Sequence, residues 1–214
     1  MADNVAALLR LMLVTDDRLV QGRDLAALAL AAERGGVTSV QVRLKQVPAR
    51  ELVQVIRGLV QVLTVPVLVN DRPDVAIAAG AAGVHLGPDD MPLELARRIA
   101  PARFIIGTSV GSEAEAEKAA AADYWGVGPW RDTPTKQDAG TGLGARGFRR
   151  LVTLAGGKPC IAIGGVRPED VPLVMAAGGT GVAVVSGILG VDDVEVAARA
   201  YVKAGLTAPP SSAF

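Results

Sequence analysis

A compact single-domain (β/α)8 barrel of the α/β class is the fold this sequence predicts, on three observations. Eight short apolar runs of strand character recur along its 214 residues, most with helix-compatible sequence between them, and that is the spacing of βα units. Half of the residues are apolar but only 3% are aromatic, so the core must be built from Ala, Val, Leu and Ile, as helix-covered parallel sheets are. Two successive runs, ending in Val69-Asn70-Asp71 and His85-Leu86-Gly87-Pro88-Asp89-Asp90, deliver carboxylates to the same end of a sheet. In parallel barrels that C-terminal end carries the active site.

The strands are expected to begin near Leu11 (LMLVT), Ser39 (SVQVRL), Pro66 (PVLVN), Gly83 (GVHLG), Phe104 (FIIGTS), Tyr124 (YWGVG), Cys160 (CIAIGG) and Gly181 (GVAVV). Asp24 to Arg34 and Leu52 to Leu63 carry apolar residues at helical spacing, and a short helix lies within Asp74 to Ala79. Pro168 suits a first helical turn, Asp192 precedes a last helix VEVAARAYVKAG, and the glycines at 35, 36, 178 and 179 supply helix stops. One domain is expected over residues 1–207, with a disordered Pro- and Ser-containing tail at 208–214.

Formal net charge is zero, which argues against a nucleic-acid partner or an anionic membrane surface but leaves room for a local basic pocket. Cys160 is the only cysteine, so no intramolecular disulfide forms and a reducing compartment is expected. The N-terminal run, broken by Asp3 and Arg10, has neither a basic leader nor a membrane-spanning length. A cytoplasmic protein that takes small phosphorylated substrates is the expectation, and a homo-oligomer is compatible with it.

Asp71 and Asp90, placed together, call for a hard divalent cation, Mg²⁺ when phosphates are also bound; taken singly, each is equally well a helix cap. In the second strand Gln41, Arg43 and Lys45 share one face by the period of two, while Val42 and Leu44 face the helices. A polar stripe inside a barrel is costly without an anionic or hydrogen-bonding ligand. The alternative is a strand that ends early, leaving these residues solvated. The long stretch from Gly128 to Gly144 is too polar and Gly-rich for core and reads as a binding loop. Within it Thr133, Thr135 and Lys136 offer two hydroxyls and a cation for phosphate oxygens. Gly164-Gly165 after strand seven and Val185-Ser186-Gly187 after strand eight add backbone donors where barrel enzymes hold phosphate.

As a set, QVRLK, VND, HLGPDD, GTS, GPWRDTPTK, IAIGG and VVSGI resemble, in order and spacing, the thiamine phosphate synthase family, from LVTDD near residue 13 to the last helix. The resemblance implies a (β/α)8 barrel that joins 4-amino-5-hydroxymethyl-2-methylpyrimidine diphosphate to 4-methyl-5-(2-phosphoethyl)thiazole, or its carboxylated form, giving thiamine phosphate and diphosphate. It implies that Gln41, Arg43, Lys45, Asn70, Ser109 and Lys136 contact the pyrimidine diphosphate, with Arg43, Ser109 and Lys136 catalytic. Asp71 and Asp90 would hold Mg²⁺, and Thr133, Thr135, Gly165, Val185 and Ser186 would contact the thiazole phosphate.

Three positions depart from the family pattern. Leu44 stands where Glu is common, Arg72 where a second Asp is frequent, and Trp130-Arg131-Asp132 in place of an apolar or aromatic stretch. Arg72 either lowers the negative charge near the metal or adds a diphosphate contact, and the change at Trp130 bears on the fit over the thiazole. Stabilising a departing diphosphate requires no protein nucleophile, so His85, Ser109 and Cys160 need no adjacent base; His85 faces either the mouth or a helix in a structural role. Two rival readings are a thiazole tautomerase, which would not need the acids or Lys136, and a non-catalytic phosphate-ligand-binding protein.

Overall fold

The computed structural model describes residues 2–132 and 141–206, with side chains from residue 5. Helix α1 (Ala2–Leu8) precedes β1 (Leu11–Val14); α2 (Asp17–Val20) and α3 (Leu25–Arg34) lead to β2 (Ser39–Val42), and α4 (Ala49–Val62) to β3 (Val67–Asn70). Then come α5 (Pro73–Ala79), β4 (Gly83–Leu86), α6 (Leu93–Ile99), β5 (Ile105–Val110), α7 (Glu113–Lys118) and β6 (Tyr124–Val127). The chain continues through α8 (Gly144–Leu154), β7 (Cys160–Ile163), a 3-10 turn at Pro168–Asp170, α9 (Val171–Ala176), β8 (Gly181–Val184), α10 (Ser186–Leu189) and α11 (Val194–Lys203). All eight strands pair in parallel and in sequence order, and β1 pairs with β8 to close the barrel. The predicted fold is therefore the observed one.

Strand alternation divides the core into two layers. Outward-facing Leu13, Val40, Val42, Val69, Val84, Ile106 and Val127 pack under the helices with Ala29, Ile56, Ala76 and Phe148. Inward-facing Met12, Leu68, Tyr124, Ile161 and Ala183 fill the barrel together with Leu8 and Leu9. Helix α1, which no sequence signal announces, therefore closes the N-terminal end. The Ser39 hydroxyl, fully buried, donates to the Leu8 carbonyl at 2.7 Å, which satisfies a polar group in that layer.

Two interior glycines make room for large neighbours. A Cβ on Gly107 would lie 2.1 Å from the Tyr124 ring, and one on Gly126 would lie 2.9 Å from His85 Cε1. Both side chains thus occupy barrel space that any larger residue would take.

The helices follow the local signals, with small shifts at their ends. Asp24 caps α3 through the Ala26 and Ala27 amides. Helix α4 begins at Ala49, before the expected Leu52. The last helix is capped by Asp193, not Asp192, because the Asp193 carboxylate accepts from the Val196 amide. Among the described residues no helix is long and apolar enough to cross a membrane. The expected tail at 208–214 lies outside the described residues.

Candidate active site

The C-terminal ends of β2 to β5 gather most of the expected polar residues. Beyond β3 the ladder runs one residue further, with the Asp71 amide donating to the His85 carbonyl at 2.8 Å. The Arg72 amide then donates back to the Asn70 carbonyl at 2.8 Å, a γ-turn centred on Asp71, whose φ is 64°. Such turns are rare and strained, and Asp is one of the few side chains that enters the left-handed region readily. Backbone strain is therefore concentrated on the residue that carries the first acid.

Asp90 lies in the loop after β4, where its Oδ2 accepts from the Gly87 amide at 2.6 Å. Burial, then the hydrogen bond with the Asp71 carboxylate, pushes the Asp90 carboxyl up to about 6. Neither acid caps a helix: the caps of α5 and α6 are Arg72 and Pro92. Lys45 Nζ stands 3.1 Å from Asp71 Oδ2. Two carboxylates and an ammonium thus converge at one spot.

Strand β2 ends at Val42, shorter than the predicted run, so Arg43 and Lys45 lie past its last paired residue. The chain stays directed because side chains replace the ladder. The Arg43 amide donates to Thr15 Oγ1 at 2.8 Å, and the Lys45 and Gln46 amides donate to the Asp17 carboxylate at 2.9 and 3.2 Å. Alternation survives: Leu44 is buried in the outer layer, Gln41 is buried inside with Nε2 directed at Met12 Sδ, and Arg43 Nη1 lies 3.5 Å from Asp16 Oδ2. The solvated alternative fits only Lys45, whose side chain is half exposed yet paired with Asp71.

Asn70 ends β3 beside His85 in register. His85 points into the barrel, not toward a helix, with Nε2 3.1 Å from Ser109 Oγ and Nδ1 2.9 Å from the Tyr124 hydroxyl. Burial and the charge of Asp123 push the ionisation of Tyr124 far above its ordinary value, so it is a neutral phenol. Cys160 is also buried, which pushes its thiol up to about 12 and makes it a poor nucleophile.

On the opposite side, Gly164 and Gly165 have φ of 90° and 67°. Val185 and Ser186 form the junction of β8 with α10. Thr133, Thr135 and Lys136 lie outside the described residues.

The three departures resolve as follows. Leu44 faces away from the mouth, as alternation requires. Arg72 Nε and Nη2 bind both oxygens of Asp74 at 2.9 and 2.6 Å at the start of α5. Trp130 turns into the outer core, edge-on to Phe148 with centroids 5.6 Å apart. Arg131 grips Asp170 through Nε at 3.0 Å and through Nη2, while the Trp130 and Arg131 amides donate to the Ile163 and Gly164 carbonyls. Burial alone would raise the Asp170 carboxyl, but hydrogen bonds from Arg131, the Arg167 amide and Trp130 hold it below the ordinary range.

Sequence reasoning missed Thr15, Asp16 and Asp17 as supports for Arg43 and Lys45, and Asp170 as the partner of Arg131. The LVTDD motif held a signal for the first three, since it too brings carboxylates to the C-terminal end of a strand.

A closed parallel barrel with its polar residues concentrated at that end is the architecture of (β/α)8 enzymes. The family described as thiamine monophosphate synthase matches residues 11–188. The thiamine-phosphate synthase of Xanthobacter autotrophicus is 46% identical over 205 residues, covering 94% of this chain and 97% of its own. That of Methanoculleus marisnigri is 45% identical over 194 residues, covering 88% and 92%. The thiamine phosphate pyrophosphorylase structure from Pyrococcus furiosus superposes with a TM-score of 0.83 at 36% identity, covering 94% and 96%. A 3-hexulose-6-phosphate synthase, 18% identical with a TM-score of 0.68, shares the fold. The chain belongs to the thiamine monophosphate synthase family, and its activity is the thiamine-phosphate synthase activity, a transferase step of thiamine biosynthesis.

Proposed function

We propose that this chain condenses 4-amino-5-hydroxymethyl-2-methylpyrimidine diphosphate with 4-methyl-5-(2-phosphoethyl)thiazole or its carboxylated form, releasing diphosphate, at the mouth built on Asp71, Asp90, Arg43 and Lys45. The observation that carries this reading is the Asp71–Asp90 pair beside Lys45. Two hard oxygen donors stand together there, close enough that burial and Asp71 raise the Asp90 carboxyl, and Mg²⁺ suits a site of one or two carboxylates completed by waters and substrate phosphate oxygens. Asp71 and Asp90 would hold Mg²⁺, which would supply the Lewis acid that offsets negative charge on the departing diphosphate.

The chain's own groups do the rest. Arg43, Lys45 and Lys136 bind the diphosphate and stabilise charge as the methylene C–O bond breaks. Gln41 and Asn70 orient the aminopyrimidine, whose ring delocalises the resulting cation. Ser109 donates to a diphosphate oxygen. Gly165, Val185 and Ser186, with Thr133 and Thr135, hold the thiazole phosphate so that the thiazole nitrogen faces the cation, and its lone pair forms the new C–N bond.

Turnover measured with both precursors, with and without Mg²⁺, tests the reading. Diphosphate release that requires the thiazole phosphate and is lost on chelation supports it. Equal rates with and without Mg²⁺ would remove the metal from the mechanism.

A further inference from the structure

We propose that His85 is a positioning residue that fixes the direction of the Ser109 hydroxyl, so that Ser109 presents its proton, and not its lone pairs, to the anionic substrate. This deepens the role given to Ser109 above and rests on it. The three groups form one line from the barrel interior toward the mouth: Tyr124 Oη to His85 Nδ1 at 2.9 Å, then His85 Nε2 to Ser109 Oγ at 3.1 Å.

Each bond has two directions, and burial at Tyr124 selects one. Tyr124 is fully buried and neutral, so it has one proton to place. Among the described residues His85 is the hydrogen-bond partner of that hydroxyl. Accepting from Nδ1 would strand the phenol proton in the core, and an unmade buried hydrogen bond is costly. The phenol therefore donates to Nδ1. That leaves the neutral ring's proton on Nε2, because one ring nitrogen accepts while the other donates. Nε2–H then donates to Ser109 Oγ, whose own O–H is left for an acceptor on the mouth side.

With the opposite tautomer Ser109 would donate back to Nε2 and offer only lone pairs to the diphosphate, a repulsive contact. A buried phenol inside the barrel thus decides whether a hydroxyl at its rim attracts or repels an anion. The space cleared by Gly107 and Gly126 is what lets Tyr124 and His85 stand in line.

Two measurements test this. His85 is the only histidine, so the ¹⁵N imidazole spectrum of tag-free protein reports on one ring. At about pH 8, where an ordinary imidazole is neutral, the expected pattern is a protonated Nε2 and a bare Nδ1. A protonated Nδ1 overturns the proposal. Tyr124→Phe, which removes only the hydroxyl, should shift the pattern toward a mixture; an unchanged spectrum would show that Tyr124 does not select the tautomer and also overturns it.

The second measurement is kinetic, at saturating precursors, on variants whose folding is checked by circular dichroism. Ser109→Ala and His85→Asn should each lower kcat by roughly tenfold or more, while His85→Gln, which extends a donor toward the Nε2 position, should recover most of the loss. The double variant Ser109→Ala with His85→Asn should be no slower than Ser109→Ala alone, since His85 acts through that hydroxyl. Independent, multiplying losses would overturn the positioning role alone. A Ser109→Ala enzyme at the wild-type rate would instead remove Ser109 from the diphosphate site, and this proposal with it.

Discussion

Asp90 is hydrogen-bonded to Asp71, and its carboxyl is pushed up to about 6 by burial and by that neighbour. The two acids come from different strand ends, and the first sits at the centre of the γ-turn at Asp71, with φ 64°. Two acids held this close disfavour charge on both at once, which is the environment in which Asp71 and Asp90 would hold a divalent cation.

Asp71→Ala and Asp90→Ala should therefore leave the barrel folded and nearly abolish synthesis. Metal stabilisation of phosphoryl oxygens is worth several kcal/mol, so a loss on the order of a thousandfold in kcat/KM is expected. Thermal melts beside initial rates decide it, and near wild-type turnover at low Mg²⁺ in either variant removes the metal role.

The same pair predicts how stability depends on pH without metal. The folded Asp90 carboxyl titrates near 6 against an ordinary 3.8. A raised group favours the fold while protonated, so its contribution is complete below pH 3.8 and is lost as pH rises through about 6. Asp90→Asn, which cannot ionise, should melt higher than wild type at about pH 8, by roughly 1 kcal/mol after solvent screening, or about 2–4 °C. Near pH 4 the two should converge. An Asn variant that melts lower at both pH values would show that Asp90 supports the fold.

The Arg131–Asp170 pair has the opposite sign. Asp170 is almost wholly buried and titrates below its ordinary 3.8, so its contribution is complete above that value and is lost as pH falls through the folded one. Asp170→Asn should lower Tm at neutral pH, and the difference should shrink in acid. Because the pair ties the start of the β6–α8 connection to the loop after β7, KM for the thiazole phosphate should rise as well. A Tm gap that does not vary with pH would assign the loss to packing.

What was legible in the sequence is what local periodicity carries. The eight strands and the two faces of β2 follow from alternation, which is why Leu44 was placed under the helices correctly. Strand length was less legible: beyond Val42 the backbone is satisfied by Thr15 and Asp17 side chains, and such partners are set by the closed barrel, not by neighbours in sequence. Helix α1 was missed because its short apolar run, between Asp3 and Arg10, was weighed only as a leader or a membrane span, and the burial of Leu8 against the barrel floor is set by the closed sheet. Asp71 and Asp90 could be placed at one end of the sheet, but the γ-turn at Asp71 needs a positive φ that Asp tolerates without demanding. Trp130 looked like a lid residue by position, and only the nearby Phe148 shows why its ring turns inward.

Arg43 and Leu44 should respond in opposite ways although they are adjacent. Arg43 reaches the mouth, tethered near Asp16 at 3.5 Å, whereas Leu44 is 8% exposed among outer-layer side chains. Arg43→Ala should weaken pyrimidine diphosphate binding by about tenfold or more, as expected for a lost charged hydrogen bond, with little change in Tm. Leu44→Glu places a carboxylate among apolar neighbours and should cost a few kcal/mol of stability, while the rate per folded molecule stays near normal. This chain offers an apolar surround at position 44, so an acid there should be harmful. Melting curves and rates normalised to folded protein test both variants together. A Leu44→Glu protein with unchanged Tm and lost activity would mean that residue 44 reaches the mouth, and the orientation of the chain after β2 would have to be redrawn.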